Sequence, residues 1–112
     1  MPEQKVIEEI KEKIAPRDLH EIELELDGNI ETLLCSTPTK VEWMKYLNDL
    51  GNTTDINKKT QAHENFLLSV TQWPDRESAK KIFQHKFASI PEITAKLGEI
   101  VGAGAQVRAK KL

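Results

Sequence analysis

The chain has 112 residues, 38% of them hydrophobic and 30% charged, with a formal net charge of −2 and a single cysteine. That length suits one domain with a modest core, the composition excludes wholesale disorder, and the lone Cys35 excludes an intramolecular disulfide. No stretch approaches the ~18 consecutive apolar residues of a membrane span, and residues 1–14 lack the apolar centre of a secretory signal, so a reducing, cytoplasmic setting is expected.

In chain order, residues 4–14 predict a short amphipathic helix. Val6, Ile7, Ile10 and Ile14 recur at helical spacing among charged residues, and Pro16 closes it. A lone helix this short is marginal in water, so it must dock on its own domain or on another chain. Residues 20–35 predict a β-hairpin. Glu21, Glu23 and Glu25 alternate with Ile22, Leu24 and Leu26, and Asp27-Gly28-Asn29 is a turn signal. A three-residue loop at 27–29 places Leu26 opposite Ile30, Leu24 opposite Thr32 and Ile22 opposite Leu34, uniting the apolar positions on one face. A two-residue Asp-Gly loop would pair Leu24 with Glu31, so the three-residue loop is expected. The other face then carries the three glutamates with Leu33 and Cys35, a mixed surface suited to partial cover or to contact.

Two strands are not stable alone, so helices must cover them. Thr39-Lys40-Val41-Glu42 matches a capping box, predicting a helix to about Leu50 with Val41, Trp43, Met44, Leu47 and Leu50 as its apolar positions and Gly51 as its stop. Residues 51–57 read as a loop. A helix over about 58–72 follows, with Ala62, Phe66, Leu67 and Val70 inward, broken by Trp73-Pro74-Asp75. Asp75 or Ser78 can cap a helix over about 76–87, with Ala79, Ile82 and Phe83 inward. Ser89-Ile90-Pro91-Glu92 is a second capping-box match, opening a last helix to about Val101 with Ile93, Leu97, Ile100 and Val101 apolar. Residues 102–112 lose the apolar period and read as a flexible basic tail. The expectation is one mainly helical α+β domain over 1–101, a hairpin followed by about four short helices, with an N-terminal helix and the tail 102–112.

Charge is graded along the chain. Residues 1–31 hold ten acidic and four basic residues, whereas 76–112 hold eight basic and three acidic. Such a gradient can orient a protein against a partner or a copy of itself. The basic residues do not cluster with aromatics and the sequence pI is about 5.9, so nucleic acid is not an expected partner.

The residues offer little chemistry. His20, His63 and His85 are scattered, and His63-Glu64 begins a zinc-protease pattern only for Leu67 to occupy the place of the second histidine. With one cysteine, no ligand pair suits zinc, and no metal or cofactor is expected. Gly102 and Gly104 follow a helix instead of opening one, as a phosphate loop would. Cys35 among leucines reads as a small hydrophobe, and no catalytic residue emerges. What remains are candidate protein contacts: Glu21, Glu23, Glu25, Leu33 and Cys35 on the mixed hairpin face, and the aromatic anchors Trp43 and Trp73. With six aromatics in the chain, the core competes for the latter.

The order of features resembles the tail assembly chaperones of long-tailed bacteriophages. The resemblance runs over about residues 5–105. Leu19 to Cys35 is similar to the family's opening β element, with Thr37-Pro38-Thr39 leading into a helix. Gln72-Trp73-Pro74-Asp75-Arg76-Glu77-Ser78 is similar to its Trp-Pro junction, and Ile90-Pro91-Glu92-Ile93 to its late short helix. Gly102-Ala103-Gly104-Ala105 is similar to its tail. The resemblance implies a non-enzymatic protein of the host bacterial cytoplasm. Such a protein binds the tape measure protein, keeps it soluble, helps recruit the major tail tube protein, and is absent from the mature virion. It also implies self-association, in several cases into rings, and a programmed frameshift for which Lys110-Lys111 is the candidate position. Two other functions fit the same residues: a structural tail or tail-completion protein that stays in the virion, and a small host adaptor or regulatory domain.

Overall fold

The computed structural model describes residues 2–26 (Leu26 by its backbone alone), 28–103 and 105–112. Met1, Asp27 of the expected turn and Gly104 of the expected tail lie outside the described residues. The order is α1 (Gln4–Ile14), β1 (Leu19–Leu26), β2 (Asn29–Ser36), α2 (Lys40–Gly51), α3 (Ile56–Val70), β3 (Thr71–Trp73), α4 (Arg76–His85), a 3₁₀ turn (Phe87–Ser89) and α5 (Ile90–Ile100). This is an α+β fold in which helices cover a three-stranded antiparallel sheet of order β1-β2-β3. No helix among the described residues is long and apolar enough to cross a membrane.

Local sequence accounts for most boundaries. α1 ends at Ile14, and its C-cap Ala15 has a ψ of 141°, the extended conformation favoured before proline. The helix docks in cis: it packs on β1, and Ile14 at its end is buried. The capping box of α2 forms in both directions. Thr39 Oγ1 accepts from the Glu42 N–H at 3.1 Å, and Glu42 Oε1 accepts from the Thr39 N–H at 2.8 Å. Gly51 is the last helical residue, not the stop beyond it, and Asn52 is the C-cap. Asp55 caps α3 through the Asn57 N–H at 2.8 Å, which starts that helix at Ile56 and shortens the expected loop. The second capping-box match is not realised. Ser89 makes no side-chain cap; its hydroxyl turns back to donate to the Lys86 carbonyl at 2.6 Å, inside the 3₁₀ turn.

The hairpin register corrects the expected one. Leu26 pairs with Asn29, so two residues separate the strands, and Leu24 does face Glu31. Gly28 at φ +80° adopts the left-handed conformation such a tight connection needs, at no steric cost. The register puts Ile22 opposite Leu33 and His20 opposite Cys35. It leaves Glu21, Glu23 and Glu25 opposite Leu34, Thr32 and Ile30. Leu33 and Cys35 are therefore not on the glutamate face. Both are fully buried in the main apolar cluster, against which Ile22 and Leu24 pack. β2 is the central strand and every residue from Thr32 to Ser36 is buried, so its apolar residues do not mark one face.

β3 replaces the expected last turn of the preceding helix. Thr71 caps α3, donating its hydroxyl to the Leu67 carbonyl at 2.7 Å, and the chain then pairs with β2, Leu34 opposite Trp73. The buried Ser36 hydroxyl ties the two together. It donates to the Val70 carbonyl at 3.3 Å and accepts from Gln72 Nε2 at 3.2 Å. The core is completed by Ala62, Phe66, Leu67 and Val70 of α3, Ala79 and Phe83 of α4, and Ile93 and Leu97 of α5. Ile100 and Val101, apolar residues at the end of the last helix, are exposed.

Candidate protein-binding surface

α2 presents two unlike flanks. One buries an aromatic cluster. Tyr46 stacks on Phe66 of α3 with ring centroids 4.7 Å apart and planes at 28°. Trp43 meets the same Phe66 edge-on at 5.5 Å and 74°. The Tyr46 hydroxyl and His63 Nδ1 share a hydrogen bond of 3.0 Å. Burial pushes the Tyr46 hydroxyl above the ordinary tyrosine range and holds the His63 imidazole below the ordinary histidine range.

The other flank faces outward. Val41, Met44 and Leu47, three of the apolar positions read from the sequence for this helix, are 79%, 53% and 43% exposed. The spacing of three sets them side by side along the helix surface. The exposure of Val41 has a geometric cause. At 100° per residue Val41 lies about 160° from Trp43, so one flank cannot bury both. The aromatic residue, with more area to hide, takes the inner position. Lys45 and Asp49, ion-paired at 2.8 Å, border the row on the side toward α3. Beyond them a shallow groove of about 300 Å³ between α2 and α3 is lined by Val41, Lys45, Tyr46, Asp49, Phe66 and Arg76. Ile56 at the start of α3 adds a further exposed apolar side chain. α2 is anchored by its first turn: Glu42 Oε1, already engaged in the cap, also meets Arg17 Nη1 at 3.4 Å.

The remaining sequence candidates scatter. Glu21, Glu23 and Glu25 are exposed along β1. Leu33 and Cys35 are withdrawn from any surface. The Cys35 thiol lies 3.7 Å from the Thr71 hydroxyl, and burial pushes it up to about 11, which disarms it as a nucleophile at neutral pH. Trp43 is half-buried, with its inner edge in the aromatic cluster and its outer edge beside Pro91 and Ala95 of α5. Trp73 is half-buried at the end of β3, in a cleft with Ile30, Pro74 and Ile82. Lys110 and Lys111 are exposed, far along the chain from either tryptophan. Among the described residues no three His, Cys, Asp or Glu side chains converge as a metal site. His20 is taken up by Thr37, 2.8 Å from its Nε2.

Sequence reasoning missed a second feature, a cleft of about 540 Å³ where Glu23, Leu24 and Glu25 meet the segment His85–Ser89. Phe87 at its rim is 68% exposed. A solitary aromatic between two helices carries no periodic signal, so only the folded chain reveals it.

Compared with protein-family models and with curated proteins, the sequence gives no match. Among solved structures, the fold is similar to that of the uncharacterised protein rbstp2171 from Bacillus stearothermophilus. The TM-score is 0.71 and the identity 20%, over 93% of this chain and 99% of that one. At that identity the likeness is one of fold.

Proposed function

We propose that this chain is a non-catalytic binding protein that holds an amphipathic helix of a longer partner, acting as a phage tail assembly chaperone toward the tape measure protein in the host cytoplasm. The observation that carries this reading is the row Val41, Met44 and Leu47, exposed on a helix whose inner flank packs Tyr46 and Trp43 against the core. A helix receives another helix through anchors at this spacing, and the neighbouring Lys45 and Asp49 supply a polar rim. The family resemblance of residues 5–105 supplies the identity of the partner. A chaperone of this kind shields the apolar stripe of a long helix until tube subunits replace it, which needs a reversible surface and no bond chemistry.

The test is co-expression of the tagged chain with the tape measure protein of the same genome, followed by light scattering on the purified eluate. A defined complex, with a tape measure protein that precipitates when made alone, supports the proposal, and the mass gives the copy number. If the tagged chain elutes alone and the solubility of the tape measure protein is unchanged, the chaperone mechanism is lost. The protein would then be sought in finished virions, as a structural tail component.

A further inference from the structure

β1 is an edge strand. It pairs with β2 on one side, and among the described residues no other backbone hydrogen bond reaches residues 19–25. An edge presents N–H and C=O groups that either stay wet or accept another strand. The 540 Å³ cleft lies along this edge: it touches the consecutive residues Glu23, Leu24 and Glu25, whose side chains point alternately to the two sheet faces. Across the cleft stand His85, Lys86, the exposed Phe87 and Glu92. The acidic groups Glu23, Glu25 and Glu92 outnumber the single lysine, so the cleft suits a cationic occupant.

The chain carries such a segment. Residues 105–112 are exposed, have no regular structure, and hold Arg108, Lys110 and Lys111 with no acidic side chain. Val107 and Ala109 alternate with Arg108 and Lys110, the period of a strand. β1 has the complementary alternation, Ile22 and Leu24 on the core side and Glu21, Glu23 and Glu25 on the other. We infer that the outer edge of β1 receives residues 105–112 of a second copy of this chain by strand addition. Val107 and Ala109 then lie beside Ile22 and Leu24, and Arg108 and Lys110 beside the glutamates. Backbone pairing and charge attraction together supply the affinity, and the charge pattern sets the register. Donor tail and acceptor edge are different surfaces, so the contact is heterologous and each copy both gives and receives, forming a ring if the rotation closes and a chain of subunits if it does not.

The test uses the full chain alone and needs no tape measure protein, so its failure is separable from failure of the chaperone function. Light scattering across a concentration series should show a mass that rises beyond one copy and falls back in high salt. Glu23→Lys with Glu25→Lys should return the chain to a single copy, as should Arg108→Glu with Lys110→Glu. All four substitutions in one chain should restore the assembly, because the charges are exchanged and the backbone edge is unchanged. These positions are exposed, and circular dichroism checks that each variant stays folded. A wild-type chain that stays a single copy at every concentration overturns the proposal, and so does cis docking of the tail with no change in mass. An assembly that ignores the tail reversal, or one that the fourfold exchange does not restore, overturns it as well.

Discussion

Trp43 of α2 closes directly over Gly98 of α5: a Cβ at Gly98 would stand 2.9 Å from the indole Cη2. The absent side chain is what lets the indole reach across to α5 while its inner edge stays against Tyr46 and Phe66. Gly98→Ala forces the ring to move, an overpacking cost of about 1–3 kcal/mol. It also gains helix propensity of about 1 kcal/mol. The expected outcome in urea titration is a net loss of about 1 kcal/mol. In a Trp43→Phe background the same substitution should stabilise the fold, because only the propensity gain remains. Equal effects in both backgrounds would show that the two residues are not coupled.

The capping box makes a second prediction. Thr39→Ala removes the acceptor for the Glu42 N–H and frees one half of the reciprocal pair. A loss of about 1 kcal/mol is expected. A denaturation midpoint indistinguishable from wild type would mean that α2 is held by its aromatic flank alone.

Much of this fold is legible in local signals. α1 follows from Ile7, Ile10 and Ile14 before Pro16, and the start of α2 follows from Thr39 and Glu42, because each depends on residues a few positions apart. The hairpin register is not local. Ile22 faces Leu33 because the helices that cover this face bury Leu33 and Cys35, which the strand pattern alone does not reveal. β3 is invisible for the same reason: Thr71-Gln72-Trp73 is too short to show a period and is recruited by the free edge of β2. At the candidate surface the sequence marks Trp43 as an anchor and Val41 and Met44 only as apolar, since apolar type alone does not say which flank of a helix will be covered.

His63 predicts a pH dependence. Burial holds its imidazole below the ordinary value, 6.5. The folded state therefore binds fewer protons than the unfolded chain as pH falls below 6.5. Stability is full above that value and declines as pH drops toward the folded pKa. His63→Gln should flatten this part of the stability profile, below about pH 6.5. An identical slope in the variant would place the titrating group elsewhere.

The thiol should be inert in the folded protein. With Cys35 pushed up to about 11, the thiolate at pH 7 is on the order of one part in ten thousand, and the sulfur has no exposed surface. A disulfide reagent should label it only as fast as the fold opens, with the rate rising in step with urea. Fast labelling in native buffer would contradict the burial of β2.

The exposed row on α2 gives the prediction that bears most directly on function. Val41 and Met44 stand in solvent, so Val41→Glu with Met44→Glu should change folding stability by no more than about 0.5 kcal/mol. If the row anchors a partner helix, each glutamate must be desolvated against apolar surface in the complex, and affinity for the tape measure protein should fall at least about tenfold. Trp43→Ala is a poor substitute for this test, because it also removes the indole packed against Phe66 and weakens the fold itself. The double glutamate variant separates the two roles of α2, with the inner flank read by urea titration and the outer flank by co-purification. A variant that folds like wild type and still co-purifies in full yield would move the binding surface off this helix, to the cleft beside Phe87 or the face carrying Glu21.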